Sequence, residues 1–201
     1  MQDNTYRSYE VTTPNAELPV TIDLARFQLR NEDLQYDDDY VRHLILTAAD
    51  LVERTYGLAL LNQTIKQYHA TFPCSSDKPI LLRIAPLYGV TPITSVAYVD
   101  SAGVTQTWSS DEYTTGQYNG RPILIPKHGY SWPAATSANH QNAVTITYTA
   151  GYGTKASAIP KTIIQAMLLT ITDHYENRSD SVRTMPTASD RIMQSFYRFA
   201  V

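Results

Sequence analysis

The sequence predicts an α+β protein in which a helical bundle carries an inserted antiparallel β region. Before residue 60 and after residue 160, apolar residues recur every three to four positions, which is the spacing of one helix face. Between these points the spacing falls to two, the period of a half-buried strand. We expect helices near 38–57, 160–178 and 187–199, and the β region at about 60–150.

Composition and charge exclude several classes of protein. The 201 residues suit one compact domain, and 43% of them are hydrophobic. A net charge of -3 without a cluster of Lys and Arg argues against general binding to nucleic acid. Cys74 is the only cysteine, which excludes an internal disulfide and a multi-cysteine zinc site. The polar N-terminus predicts no signal peptide, and no stretch has the apolar length of a membrane span.

The first sixty residues predict an arm followed by two helices. Residues 1–20 contain two prolines and no periodicity, so we expect an extended N-terminal arm that a partner orders. Residues 21–30 predict a short helix with Thr21 or Asp23 as its N-cap. The next helix has aspartates in its first turn and a terminal glycine, Gly57. Its apolar stripe is Val41, Leu44, Ile45, Ala48, Leu51 and Val52.

The β region predicts several short strands separated by turn residues. Segments 79–84 and 142–150 alternate, 121–126 predicts a short strand bounded by prolines, and 93–108 predicts a hairpin around Ser101–Gly103. In segment 60–72 the alternation predicts opposite faces for two sets of side chains. The sets are Tyr68, Ala70 and Phe72, and Gln67, His69 and Thr71.

The chain then returns to helices. Gly151 and Gly153 allow the turn out of the last strand, and we expect Pro160 at the first helical position. One stripe of the following helix should pack against the helix near 38–57. The stripe is Ile163, Ile164, Met167, Leu168, Ile171 and Tyr175.

Residues 179–201 predict a polar linker and a terminal helix. Thr187 and Asp190 have the spacing of a capping box. The aromatic, Met and Arg content of the helix is typical of an interface, but a terminal amphipathic helix also commonly folds back on its own core. Its apolar face is Ile192, Met193, Phe196, Phe199 and Ala200.

No catalytic or metal-binding motif is present in the sequence. The five histidines are scattered, and Asp173 and His174 point about 100° apart on a helix, which disfavours shared coordination. Residues 33–40 contain four aspartates but lack the glycine and the glutamate of an EF-hand loop. Cys74 has no close basic neighbour that would activate it. We therefore expect no cofactor, no metal and no enzymatic activity.

Four stretches together resemble the head–tail connector proteins (adaptor, or head-completion, proteins) of long-tailed double-stranded DNA phages. The strongest pieces are AADLVERTYG at 48–57 and VTITYTAGYG at 144–153, which feeds IPKTIIQAMLLTITDHYENR at 159–178. The others are ILLRIAPLYGVTPITSVAYVDSAG at 80–103 and the terminal RIMQSFYRF at 191–199. Each is a packing or turn signature, and their order and spacing carry the resemblance.

The resemblance implies a structural virion protein made in the host cytoplasm and located at the head–tail junction. Such proteins form a ring, typically of twelve copies, beneath the portal protein, and they bind the next neck or tail protein. DNA passes through the ring without specific binding, and no membrane is involved. We therefore divide the chain into an arm at 1–20, which has no counterpart in that family, a connector core at 21–178, and a linker with a docking helix at 179–201.

Two sets of residues receive hypothetical roles within this picture. We expect the terminal helix to dock on the portal, with aromatic anchors and Arg–carboxylate pairs. The docking set is Arg191, Ile192, Met193, Phe196, Tyr197, Arg198 and Phe199. Polar and acidic loops near Asp100 or Asp111 would line the channel, where negative charge repels phosphates. Ring contacts would come from strand edges and the N-terminal arm.

Two other classes of protein remain open from the sequence. One is a β-rich tail or baseplate module that recognises carbohydrate or protein, in which tyrosines and Trp132 could stack on sugars. The other is an enzyme with an unfamiliar site, which would need a cleft of convergent ionisable groups.

Overall fold

The computed structural model describes residues 6–13, 16–30, 38–76, 78–133, 142–177 and 187–199, with backbone alone for 197–199. These ranges contain four helices and eight strands, and all strand pairs are antiparallel, which confirms the α+β class. The helices are α1 (Ile22–Leu29), α2 (Asp38–Tyr56), α3 (Lys161–Glu176) and α4 (Ala188–Met193), which continues as a 3-10 turn, Gln194–Phe199. The strands are β1 (Tyr6–Thr13), β2 (Gln63–His69), β3 (Ile80–Leu81), β4 (Ile93–Val99), β5 (Thr105–Trp108), β6 (Tyr113–Tyr118), β7 (Arg121–Pro126) and β8 (Val144–Ala150).

The chain divides into two compact units. The sheet unit comprises Met1–Pro14 and Asn62–Gly151, and the helical unit comprises Asn15–Leu61 and Tyr152–Val201. Strands β2 to β8 of the sheet unit are therefore inserted between α2 and α3, as the change of period predicts, and β1 joins them from before α1. None of the helices in the described ranges combines the length and the hydropathy that a bilayer crossing requires.

The sheet unit contains a five-stranded sheet of order β1-β2-β8-β4-β5 and a three-stranded sheet of order β3-β7-β6. In β8 the apolar residues Val144, Ile146 and Tyr148 are fully buried, whereas the intervening threonines remain partly exposed. This is the predicted alternation of a strand with one face on the core. The predicted hairpin is also confirmed, because β4 pairs with β5 from Val96–Trp108 to Val99–Thr105.

In the sheet unit one prediction needs correction, one is confirmed, and one strand was not predicted. Residues Tyr6–Thr13 do not form a free arm, because they pair with β2 as an edge strand of the larger sheet. In β2 the predicted alternation is confirmed, and the polar set is the buried one: Gln67 and His69 have no exposed surface, and Tyr68 is partly exposed. The sequence analysis also missed β6, whose turn to β7 is an Asn119-Gly120 pair with φ of 51° and 76°.

The helical unit has one core shared by all four helices. Thr21 caps α1 by accepting a hydrogen bond from the Leu24 amide at 3.3 Å. The apolar stripes of α2 and α3 are buried in the same cluster, as expected. Leu51 is the exception, because it is 44% exposed although the helical period places it in the stripe. Pro160 lies at the N-cap of α3, one residue before the predicted position.

Two glycines return the chain from the sheet unit to the helical unit. Gly151 has φ of 139°, a conformation that residues with a Cβ rarely adopt. At Gly153 a Cβ would lie 2.5 Å from the Cβ of Ala158, so only glycine fits the close approach of the two backbones. The turn in AGYG is therefore determined by one conformational and one steric requirement.

Candidate functional site

The described residues offer no candidate metal centre. Within it, no group of three or more His, Cys, Asp or Glu could hold a metal ion. His43, His128 and His174 are exposed, His69 is buried in β2, and His140 lies outside the described residues.

The terminal segment packs on its own helical unit. Thr187 and Asp190 form the predicted capping box, in which each side chain bonds to the other residue's backbone amide. Met193 is only 2% exposed, and Ile192 and Phe196 pack partly buried against the same core. Arg191 is exposed. The structure thus matches the fold-back alternative for these residues, and portal docking stays a prediction.

The remaining members of the predicted docking set are incompletely described. Tyr197 and Phe199 belong to the 3-10 turn that follows α4, together with Arg198. Their side chains lie outside the described residues. Among the described docking side chains only Arg191 is exposed, so it is the best single position for testing a surface role.

A groove of about 450 Å³ opens between α2, α3 and α4. Its apolar part includes Leu51, Leu169 and Met193, and its polar part includes Asp173, Glu176 and Asp190. The exposed Leu51, which the helical period does not explain, lies in this groove. A volume of this size is within the range of peptide and ligand sites.

The outer side of α1 carries exposed apolar side chains. Phe27 is 83% exposed and Leu24 is 40% exposed, three residues apart, whereas Ala25 is fully buried. Arg26 fixes the helix through ion pairs with Asp23 and with Asp38, the first residue of α2. An aromatic ring held on an ordered helix with little contact is typical of an interface anchor.

The two aspartates predicted to line a channel lie at opposite ends of β5. Asp100 precedes that strand in the β4–β5 loop, and Asp111 follows it in the connection to β6. The Asp111 amide donates to the Ser109 hydroxyl at 3.3 Å, which shapes that turn. The structure therefore does not bring the two carboxylates together at one surface patch.

Asp100 has a local structural role. Its carboxylate accepts hydrogen bonds at 2.9 Å from the Gln106 side chain and from the Val104 and Ala102 amides. These bonds, led by that from Gln106, hold the pKa of Asp100 below its ordinary value. Asp100 closes the hairpin loop as an anion, and these hydrogen bonds are sufficient to explain an aspartate at this position.

A buried polar network connects β2, β8 and the segment after β3. The Gln67 amide nitrogen donates to the Leu81 carbonyl and contacts His69 Nε2, both at 2.8 Å. Its oxygen accepts from the Arg83 amide at 2.8 Å and from the Tyr148 hydroxyl at 3.3 Å. Every hydrogen-bonding position of this amide is used, which explains why a glutamine can be fully buried here.

The N-terminal strand contacts this network through Tyr6. Its ring meets the His69 ring edge-on with centroids 5.9 Å apart, and the Arg83 guanidinium lies 4.3 Å above it. Burial raises the pKa of Tyr6, and it raises the pKa of Tyr148 further. The alternation places Gln67 and His69 on one face, but the local pattern gives no signal of the distant partners that bury them.

Trp132 belongs to the core of the sheet unit. Its ring stacks on Phe72 with centroids 5.3 Å apart, and its Nε1 donates to the Ser75 carbonyl at 3.1 Å. Trp108 and Tyr113 join the same aromatic cluster. This burial removes Trp132 from the residues that could stack on a sugar.

Comparison with known proteins identifies similar folds. No family model matches the chain, and no curated protein matches it. A chain from the virion of a native gene transfer agent particle matches with a TM-score of 0.77 and 21% identity, over 94% of this chain and 95% of that chain. A chain from the neck of an empty gene transfer agent particle, computed with C6 symmetry, matches with a TM-score of 0.77, 22% identity and the same coverage.

A third solved structure with a similar fold comes from the same kind of particle. It is the neck of a native gene transfer agent particle computed with C12 symmetry, with a TM-score of 0.71, 22% identity and coverage of 94% of both chains. At these identities the similarity establishes the fold. Nearly the whole of this chain, helical and sheet units included, has the fold of chains from such particles.

Proposed function

We propose that this chain is a non-enzymatic structural protein of a virion neck. In this role, about twelve copies form a ring under the portal at the head–tail junction, join the capsid to the tail and extend the DNA channel. The observation that carries the proposal is the fold similarity over 94% of the chain to chains from virion and neck assemblies. The C12 and C6 symmetries stated for two of those assemblies support a ring of identical subunits.

The charge of the chain supports a channel through which DNA slides without being bound. The net charge is -3, so electrostatic attraction to phosphate is weak. Acidic loops such as those of Asp100 and Asp111 would favour sliding of DNA if they face the channel. No cofactor or membrane has a role in this proposal.

The terminal segment is proposed to contact the portal through its exposed side chains. Since Met193 is buried in the helical unit, the exposed Arg191 is the described group of the docking set that would reach a partner. Pairing of Arg191 with a portal carboxylate would give a charge-assisted hydrogen bond. The opposite end of the ring would bind the next neck or tail protein.

Co-expression with the portal protein of the same genome tests the proposal. The complex is purified through a tag on the portal and imaged by cryo-electron microscopy. We expect a closed ring of this protein on the portal. Absence of any association across a range of protein concentrations would contradict the neck assignment and favour a tail or baseplate component.

The docking hypothesis has its own pair of variants. We expect Arg191→Glu to weaken portal binding about tenfold or more, because it replaces an attraction with a repulsion. Arg42→Glu makes the same charge change on the exposed side of α2 and should leave binding unchanged. Equal binding by both variants would refute a role for Arg191.

A further inference from the structure

We propose that neighbouring copies in the ring associate by inserting the exposed side of α1 into the groove of the next copy. The α1 knob consists of Leu24, Phe27 and Arg30, and the groove is the cavity between α2, α3 and α4 described above. This inference rests on the proposed ring. It differs from the expectation that strand edges and an N-terminal arm make the ring contacts.

The α1 knob is an ordered apolar anchor. Phe27 is 83% exposed, so burying its ring in a partner removes much apolar surface from water. The Thr21 cap and the ion pairs of Arg26 already fix the helix on its own unit. Little conformational entropy therefore remains to be lost on association, which favours binding.

The groove matches the α1 knob in polarity. Leu51, 44% exposed, and Leu169 offer apolar walls, and Met193 of α4 closes the cavity. A helix that lays apolar side chains into a groove between helices is a recurrent recognition mode. The two surfaces thus supply the projecting and the receiving part of one interface.

The two surfaces are also complementary in charge. The groove is lined by the carboxylates of Asp173, Glu176 and Asp190, with Tyr56 and His174 as the other titratable side chains. No Lys or Arg belongs to its lining residues. Arg30 is exposed and caps the C-terminal end of α1, three residues after Phe27. Opposite charges at the edge of an apolar contact fix its orientation.

The positions of the two surfaces favour a head-to-tail contact. Arg26 of α1 pairs with Asp38 at the start of α2, and Leu51 lies thirteen residues further along that helix. At 1.5 Å per residue this is roughly 20 Å along the axis, and no α1 residue lines the groove. Two different surfaces at separate places on one subunit form a heterologous interface, which closes into a ring when the rotation permits.

Disulfide trapping tests the contact on portal-bound assemblies. In a Cys74→Ser background, one chain carries Phe27→Cys and another carries Leu51→Cys. We expect oxidation of the mixture to give cross-linked dimers and each chain alone to give none, because a disulfide requires Cα atoms within about 7 Å. A chain with both cysteines should give a ladder of multimers. The control is Leu46→Cys, 50% exposed on the same helix but outside the groove, which should not cross-link with Phe27→Cys.

Charge reversal provides a second, independent test of the α1–groove contact. Arg30→Glu should weaken ring formation about tenfold or more, and Glu176→Arg in the same chain should restore it. Phe27→Asp should abolish assembly while its circular dichroism spectrum stays that of the unchanged protein, since the position is exposed.

The outcomes separate this contact from the proposed function. Rings that form normally with Phe27→Asp, or that give no cross-link, would overturn the α1–groove contact and leave the neck assignment intact. Cross-links between two Phe27→Cys chains would overturn it too, because they indicate a two-fold contact. If the unchanged protein never associates on the portal, the neck assignment and this contact both fail.

Discussion

Replacement of Gln67 by leucine tests the buried network of the sheet unit most directly. Leucine has a similar size but cannot bond, so Arg83 loses the acceptor for its amide and the Leu81 carbonyl and His69 Nε2 lose their donor. Each buried polar group left without its partner costs about 1–3 kcal/mol. Allowing for partial relaxation, we expect Gln67→Leu to lower the free energy of unfolding by about 3–5 kcal/mol.

The loss can be measured on the sheet unit alone. The chain has two tryptophans, Trp108 and Trp132, and both lie in that unit. Urea unfolding followed by tryptophan fluorescence therefore reports the sheet unit, whereas circular dichroism at 222 nm is dominated by the helical unit. The matched control is Lys66→Leu, on the opposite face of the same strand, for which we expect a change within about 0.5 kcal/mol.

A double-mutant cycle sharpens the prediction. Tyr148 donates its hydroxyl to Gln67 and accepts from the Ile84 amide at 3.1 Å. Because the two side chains share one network, Gln67→Leu and Tyr148→Phe should show a coupling energy of about 0.5–3 kcal/mol. A cost below about 1 kcal/mol for Gln67→Leu, with no coupling to Tyr148, would refute the interpretation of these groups as one satisfied network.

Three further predictions concern pH and the terminal helix. The pKa of Asp100 is lowered by folding, so its carboxylate stabilises the fold at pH above the ordinary value of 3.8, and this stabilisation is lost as pH falls through the lower folded pKa. As the carboxylate is protonated, the NMR signals of the Ala102 and Val104 amides, which donate to it, should shift. The pKa of Tyr148 is raised by folding, so this group makes the fold less stable as pH rises above 10.0, and the urea midpoint of the sheet unit should fall there. Tyr148→Phe should make the midpoint fall less steeply with pH. Met193→Ala should cost about 2 kcal/mol in thermal unfolding because it opens a cavity in the helical core, whereas the exposed Gln194→Ala should cost less than about 0.5 kcal/mol.

Periodicity was enough to predict most of the fold. Strong stripes in α2 and α3 and the clean alternation of β8 each arise from burial of one face, so burial is visible in the spacing of residue types. The N-cap of α1 and the capping box of α4 were also predictable, because both depend on local backbone bonding.

The errors occurred where tertiary contacts override local pattern. β1 has almost no buried side chain, so its pairing with β2 leaves no alternation to detect. In β2 the polar Gln67 and His69 are buried because partners from distant parts of the chain satisfy them. For β6, the Asn119-Gly120 pair was a hairpin signal that could have indicated a strand on either side of it.

The assembly surfaces were harder to predict than the fold. Composition identified the terminal segment as interface-like, yet the same Met193 that suits an interface also suits a core, and only packing distinguishes the two. The sequence did not indicate that Phe27 is exposed, because a single aromatic residue in a short amphipathic helix is expected to lie on the buried face. Leu51 was assigned to the core by its spacing, although α4 leaves an open groove beside it.

The insertion of the sheet unit between α2 and α3 sets an order of folding during synthesis. Strands β2 to β8 are complete when residue 151 has left the ribosome, whereas α2 must wait about one hundred residues for α3. At about 5–20 residues per second, α2 keeps its apolar stripe uncovered for several seconds. Strands β2 to β8 can thus complete their pairing before the helical core is closed, while α2 has only α1 to pack against until α3 has emerged.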